Sequence, residues 1–261
     1  NTHHAQKGYS LIELCVVIAL MGVLMGSALS LGGQSAEKAN LVATDMSLDE
    51  IEKAIQLFYN KNRRVPCPAS PSQAENTASF GIEDNCSNAA PLLANIVELN
   101  DGTADEQWMG TLPTRTLGLP DRMMVDKWGS RLVYGVQKNF ADSTRTFKDE
   151  VASGLATMIK IRDKSGNNIN QSAVAADLQN PVVYVLLSEG KDKRGAYSRV
   201  GTQPVPCDAS NAQRDVQNCD FTVPATKNSI FLDMDLADST TSAEYYYDKL
   251  RWKTKLNFGI V

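Results

Sequence analysis

The run from residue 14 to residue 31 is apolar and carries no charged side chain. As helix those residues span roughly 27 Å, close to the hydrocarbon core of a bilayer. Before the run lie eight short, mostly polar residues, Asn-Thr-His-His-Ala-Gln-Lys-Gly, with Lys7 as their one firm positive charge. That charge predicts a cytoplasmic N-terminus, with everything after residue 32 on the far side. Past Gly32-Gly33, the softest point of the segment, the chain turns polar but keeps a helical rhythm. Leu41, Leu48, Ile51, Ile55 and Phe58 recur at spacings of seven, three, four and three, which makes one apolar stripe. Asp49, Glu50, Glu52 and Lys53 fill the opposite side, and Asn60, Asn62 and Pro66 end the run. The pattern predicts one helix over residues 9–60, roughly 75 Å long if continuous, apolar in its first half and amphipathic in its second.

Beyond Pro66 the sequence is loop-rich up to Cys86, and then strand-like segments appear at 131–136, 157–162, 181–188 and 229–236. Asp163-Lys-Ser-Gly166 reads as a turn. Strands follow a helix without βαβ alternation, so the expected class is α+β, with an antiparallel sheet packed on the amphipathic half of the helix. The 261 residues, 43% of them hydrophobic, suffice for one buried core. A formal charge of −4 argues against a broad nucleic-acid-binding surface. The two histidines are His3 and His4, which removes His-ligated zinc and most His-dependent catalysis from the body of the chain.

Three readings compete for the N-terminal segment. It fits a cleaved secretory signal with a small-x-small site at Ala28-Leu29-Ser30, or a plain uncleaved anchor. Both leave Glu13 unexplained. A carboxylate in a membrane helix costs on the order of 2.5–3.5 kcal/mol at mid-depth, less near an end, and such residues usually have a specific partner. The third reading starts from that residue. Lys7-Gly8, the aromatic Tyr9, and Ser10-Leu11-Ile12-Glu13-Leu14 leading into the apolar run resemble the cleavage and methylation site of type IV prepilins and pseudopilins.

The resemblance implies that a membrane peptidase cuts between Gly8 and Tyr9 and methylates the new Tyr9 amine. It further implies that Glu13, fifth in the mature chain, pairs with a neighbouring subunit's amine during assembly. The chain then divides into a leader (1–8), a transmembrane and assembly half-helix (9–33), an amphipathic half-helix (34–62) and a periplasmic pilin-like head (63–261). The implied partners are other pilin-like subunits, the prepilin peptidase and methyltransferase, and the bacterial inner membrane, with no nucleic acid. Gly22 and Gly26 add a GxxxG spacing compatible with close helix packing. One departure is that no proline precedes Pro66, whereas many pilins have one deep in this helix.

Two head segments carry a second, patchier likeness. Asp126-Lys-Trp128-Gly129, continuing to Tyr134, resembles the segment that enters the sheet of type II secretion major pseudopilins. Ser188-Glu-Gly190-Lys-Asp192 resembles the loop after their next strand. Nearby acidic loops in those proteins bind calcium, and Asp192 with Asp208 are the residues offered for it here, assisted by Asp215 and Asp220. Lys191, Lys193 and Arg194 oppose a hard cation at that place.

Of five cysteines, Cys15 lies in the apolar run as a packing residue. Cys67, Cys86, Cys207 and Cys219 lie in polar sequence beyond it and are expected to pair in an oxidising compartment. Three connectivities exist; the sequence-local one, Cys67–Cys86 and Cys207–Cys219, is chosen, and the spacings do not match a four-thiolate zinc site. No Walker A, GxSxG, HExxH or GxGxxG motif occurs. The expected function is a non-enzymatic subunit, minor or specialised, of a pilus-like or pseudopilus filament, needing no cofactor apart from any calcium. The alternative is a periplasmic binding module or hydrolase, carried on an anchor or released by signal cleavage.

Overall fold

The computed structural model describes the backbone of residues 10–86, 97–99, 107–142, 159–170, 181–207, 216–219, 230–236 and 246–258, and their side chains except at 24–35, 97–99 and 216. Two compact units divide the chain, Asn1–Thr44 and Asp45–Val261. One helix, α1 (Leu11–Asn62, 52 residues), begins in the first unit and ends in the second. It runs on through Gly32-Gly33.

Among the described residues no helix is long and apolar enough to cross a membrane. The expected transmembrane half is therefore not met there. The described side chains of the apolar run stop at Val23, and residues 14–23 make only about 15 Å of helix.

In the second unit the last turns of α1 lie on a sheet. Five antiparallel strands stand in the order β1 (Val97–Leu99), β2 (Gln107–Thr111), β3 (Val133–Gln137), β5 (Val182–Ser188), β7 (Lys249–Thr254). The fold class is α+β, a helix followed by an antiparallel sheet. Each segment expected to be strand contains one. However, β4 (Lys160–Arg162) and β6 (Ile230–Leu232) do not join the main sheet and pair with each other in parallel.

That small pair covers the sheet face away from the helix. Ile161 and Phe231 bury against Met109, Val133, Val185, Leu187 and Leu250. On the helix face Leu48, Ile51, Ile55 and Tyr59 bury against Trp108, Tyr134, Val136, Tyr184 and Leu186. A sheet covered on both faces needs strands that are apolar throughout, which explains the unbroken run Val182-Val-Tyr-Val-Leu-Leu187 in β5.

The expected stripe of α1 is corrected at its end. Tyr59, not Phe58, joins the core, against Phe258 at 5.1 Å between ring centroids. At about 100° per residue, position 59 falls within roughly 20° of Leu48 around the helix, and position 58 roughly 80° away. Phe58 instead lies under the Arg64 guanidinium, 5.2 Å from its ring centroid.

The acidic side of α1 needs a second correction, because it is not wholly a solvent face. Lys249, Arg251 and Lys253 alternate on one face of β7. They reach Asp45 at 3.1 and 3.0 Å, Asp49 at 3.6 Å and Glu52 at 3.3 Å. The pairs are partly exposed, from 16% at Glu52 to 56% at Asp49, and each is worth no more than about 1 kcal/mol, so the ladder sets the register of helix on strand more than its stability. Strands β1, β2 and β7 escape sequence reasoning, the last two because Gln107 and this Lys/Arg alternation disguise them.

Two bridges tie the loops, Cys67–Cys86 with Cα atoms 5.9 Å apart and Cys207–Cys219 at 5.7 Å. Both are the sequence-local pairs expected, and Cys15 is free and exposed. Closing loops of this size is worth on the order of 3 kcal/mol each by restricting the unfolded chain.

Candidate functional site

The N-terminal site is built around the start of α1. Gly8 and Tyr9 lie outside the described residues; Ser10 and Glu13 lie within them. The Ser10 backbone N–H donates to Glu13 Oε2 at 2.9 Å, and Leu14 N–H donates to the Ser10 carbonyl at 3.2 Å. Ser10 is thus the N-cap and Glu13 the N3 residue, in the Ser-x-x-Glu spacing of a capping box. Sequence reasoning missed this local role, although the spacing was its signal. The carboxylate satisfies an otherwise orphaned donor and complements the positive end of the helix.

Around Glu13 the helix is apolar on all sides. Leu11, Ile12, Leu14, Val16, Val17, Ile18, Leu20, Met21 and Val23 are all exposed, Leu11 by 81%. A helix that is hydrophobic all round is stable only when something covers it, whether lipid or other helices. At Gly22 an added methyl would meet nothing within 4 Å, so that face is open to close approach. A carboxylate standing in such a surface is chemically suited to pair with a cation brought by whatever covers it.

The head segments that resemble pseudopilins meet in space. Asp126 Oδ1 accepts from the Trp128 and Ser130 backbone N–H groups at 2.9 Å each. Its Oδ2 accepts from Ser188 Oγ at 2.6 Å, which clamps the Asp-x-Trp-Gly turn to the end of β5. Tyr247, from the aromatic run before β7, packs edge-on to Trp128 at 6.4 Å and lies 4.0 Å beneath Lys191 Nζ. Its carbonyl comes so close to Gly190, which has φ +63°, that a side chain there has no room. Three motifs separate in the sequence are one structural knot.

Burial pushes the Asp126 carboxyl above its ordinary value, while bonds from Ser188, Ser130, Trp128 and Gly129 pull it back. The native state therefore holds this proton more tightly than the unfolded chain does. That contribution is full at pH below the unfolded value and is lost as pH rises through the folded one. Asp126→Ala, which orphans the buried Ser130 N–H, the half-buried Trp128 N–H and the Ser188 hydroxyl, should cost about 3 kcal/mol in chemical denaturation. Asp126→Asn keeps the acceptor oxygen, so it should cost much less and abolish that acid-range dependence. Equal losses in the two variants would show that the acceptor bonds do not hold the knot.

The aromatic run Tyr246-Tyr247 leads through Asp248 into β7. Tyr246 is buried, and its hydroxyl donates to the Leu232 carbonyl at 2.5 Å and accepts from Asn218 at 3.1 Å. Arg251 meets two acids of α1, Asp45 at 3.0 Å and Asp49 at 3.6 Å. Asp233 accepts from Trp252 Nε1 at 2.9 Å, Asp235 is exposed, and Asp238 lies outside the described residues.

Asp192, offered for calcium, lies 3.6 Å from Arg194 Nε. Asp208, Asp215 and Asp220 lie outside the described residues. Among the described residues no group of three His, Cys, Asp or Glu side chains is placed to hold a metal ion.

Residues 3–29 match the family model of the prokaryotic N-terminal methylation motif, which marks the type IV pilin and pseudopilin substrates of the prepilin peptidase. No curated protein and no solved structure matches the chain.

Proposed function

We propose that this chain is the precursor of a structural subunit of a type IV pilus-like or pseudopilus filament. The methylation motif over residues 3–29 carries the reading, because it coincides with the residues from which α1 starts. The peptidase cuts between Gly8 and Tyr9 and the Tyr9 amine is methylated. Before assembly the uncharged run 14–31 holds the subunit at the inner membrane, with the head on the periplasmic side, where its disulfides form. In the filament the exposed apolar surface of α1 is covered by the same surface of neighbouring subunits. Each Glu13 there takes the Tyr9 amine of a neighbour as counter-charge. A head of this size and elaboration suits a minor or specialised subunit. The subunit does no chemistry of its own; it is the substrate of the peptidase and a building block thereafter.

Intact mass and N-terminal sequencing of the protein from its native membrane test the reading directly. The expected first residue is N-methyl-Tyr9. Gly8→Val places a branched side chain at the scissile carbonyl and should leave at least nine-tenths of the chain uncut, on the order of a tenfold loss of processing or more. A mature chain starting at Leu31 would instead favour secretion by signal cleavage.

A further inference from the structure

The two disulfide bridges stand in opposite surroundings. Cys67 and Cys86 are 3% and 2% exposed and belong to the core that α1 makes with the sheet. Every residue over 65–71 is buried. The loop between the two cysteines is fastened along its length. Arg115 donates to the Glu75 and Thr77 carbonyls at 3.1 Å each, and Arg131 to those of Pro71 and Gln73 at 2.6 Å each. The centre of the Phe80 ring lies 5.1 and 5.0 Å from the Cζ atoms of these two arginines. Arg64 grips Glu83 through two nitrogens at 2.7 and 2.8 Å, and Glu83 takes the Cys67 N–H at 2.8 Å.

Cys207 is partly exposed, and Pro204, Val205 and Pro206 before it are exposed. Its partner Cys219 is buried. Both sides of this bridge are anchored without it. Next to Cys219, Asn218 exchanges two hydrogen bonds with the Leu232 backbone of β6, at 3.0 and 2.6 Å. On the Cys207 side, Gly195 N–H donates to the Val205 carbonyl at 2.9 Å, and Arg199 pairs with Glu75 at 2.6 Å.

We propose that the two bridges differ in redox standing. Cys67–Cys86 is closed to exchange once the 67–86 loop is fastened. Cys207–Cys219 stays open to exchange in the folded head, as a redox-sensitive tie between the 195–207 segment and the helical turn Val216–Cys219. A thiolate of a dithiol reductant attacks Cys207 Sγ on its exposed side. The S–S bond breaks, and Cys219 leaves as a thiolate that takes up a proton. The reductant's second thiol then displaces Cys207 and closes the reductant's own disulfide, so two electrons pass to the protein. At Cys67–Cys86 the same attack has no line of approach until the loop opens. The thiol–disulfide poise of the surroundings therefore sets the state of one bridge and not of the other.

Full-length chain in mild detergent, with Cys15→Ala to remove the free thiol, tests this. It is treated with dithiothreitol under native conditions, quenched in acid, alkylated and mapped by peptide mass. Cys207 and Cys219 should take the alkyl label about a hundredfold faster than Cys67 and Cys86. The near-UV circular dichroism of the head should persist after Cys207–Cys219 has opened. In denaturing urea the two rates should converge to within about threefold, since the difference lies in the fold. Arg115→Ala frees the Glu75 and Thr77 carbonyls; it should speed reduction of Cys67–Cys86 about tenfold and leave Cys207–Cys219 within about twofold. Equal rates at the two bridges in the native chain would overturn the proposal. So would a difference that survives in urea, or a near-UV signal lost in step with the opening of Cys207–Cys219. An Arg115→Ala chain reduced no faster at Cys67–Cys86 would show that the fastening does not close that bridge.

Discussion

A Glu13→Leu chain is expected to be cut and methylated normally, to fold its head with both disulfides, and to stay in the membrane as unassembled subunit. In an apolar surface the carboxylate is a liability until a cation meets it, and leucine relieves that liability without harming insertion. On the filament reading proposed above, what the variant loses is the counter-charge for an incoming neighbour's Tyr9 amine. Removing one partner of a pair in a low-dielectric bundle costs about 3 kcal/mol or more, roughly a hundredfold in incorporation. The capping box supplies a competing explanation, since Glu13 also accepts from Ser10 N–H at 2.9 Å and leucine cannot. A lost cap costs about 1 kcal/mol, some fivefold in a folding or assembly equilibrium.

Glu13→Gln separates the two effects, because its amide oxygen keeps the cap without the charge. Quantitative comparison of the assembled fraction should place glutamine close to leucine. Wild-type incorporation by the glutamine variant would mean that the cap, not the charge, is what assembly requires.

In the head, the largest single loss is expected from Arg131→Ala. This guanidinium is 1% exposed and, among the described residues, has no carboxylate as direct partner; it donates to the carbonyls of Pro71, Gln73 and Arg199 at 2.6, 2.6 and 2.7 Å. Its Cζ lies 5.0 Å from the Phe80 ring centroid. Burial lowers its pKa, with Glu75 opposing that shift, so the backbone carbonyls do the work that an acid would do elsewhere. Alanine orphans all three and leaves a cavity the size of the largest buried side chains. Together these losses should reach about 4 kcal/mol or more, enough to unfold a marginal domain.

Urea denaturation should show the Arg131→Ala midpoint falling with little change in slope. Arg131→Lys should be intermediate, since one ammonium cannot reach three divergent carbonyls. A midpoint unchanged in the alanine variant would show that the 71–73 and 199 segments hold together without it.

Arg131 also shows what a single sequence hides. It sits in an unremarkable Ser-Arg-Leu-Val, and its partners are backbone atoms roughly sixty residues away on either side. Backbone carbonyls carry no residue-type signature, so no spacing announces them. The same holds for the Asp45–Arg251 and Glu52–Lys253 contacts, where helix and strand are some two hundred residues apart. Asp126 and Ser188 were legible as two fragments of one likeness, but the hydrogen bond that joins them was not. The capping box, by contrast, was written locally and was overlooked because the assembly role expected of Glu13 accounted for the residue on its own.

What the sequence determined by itself are the features whose physics is local. A long uncharged run followed by a 3.6-residue stripe makes α1, because helix periodicity depends only on neighbours three and four positions away. The Gly8-Tyr9-Ser-Leu-Ile-Glu13 pattern marks the methylation motif, because a peptidase reads contiguous residues. Cysteines twelve and nineteen positions apart pair, because short loops close most readily. Only the tertiary structure decided the strand order, the separate parallel pair β4–β6, the exchange of Phe58 for Tyr59 in the core, and the basic ladder of β7 on the acidic side of α1. Each of those is a contact between distant segments. Its energy depends on which surfaces meet, and that is settled when the sheet packs on its helix.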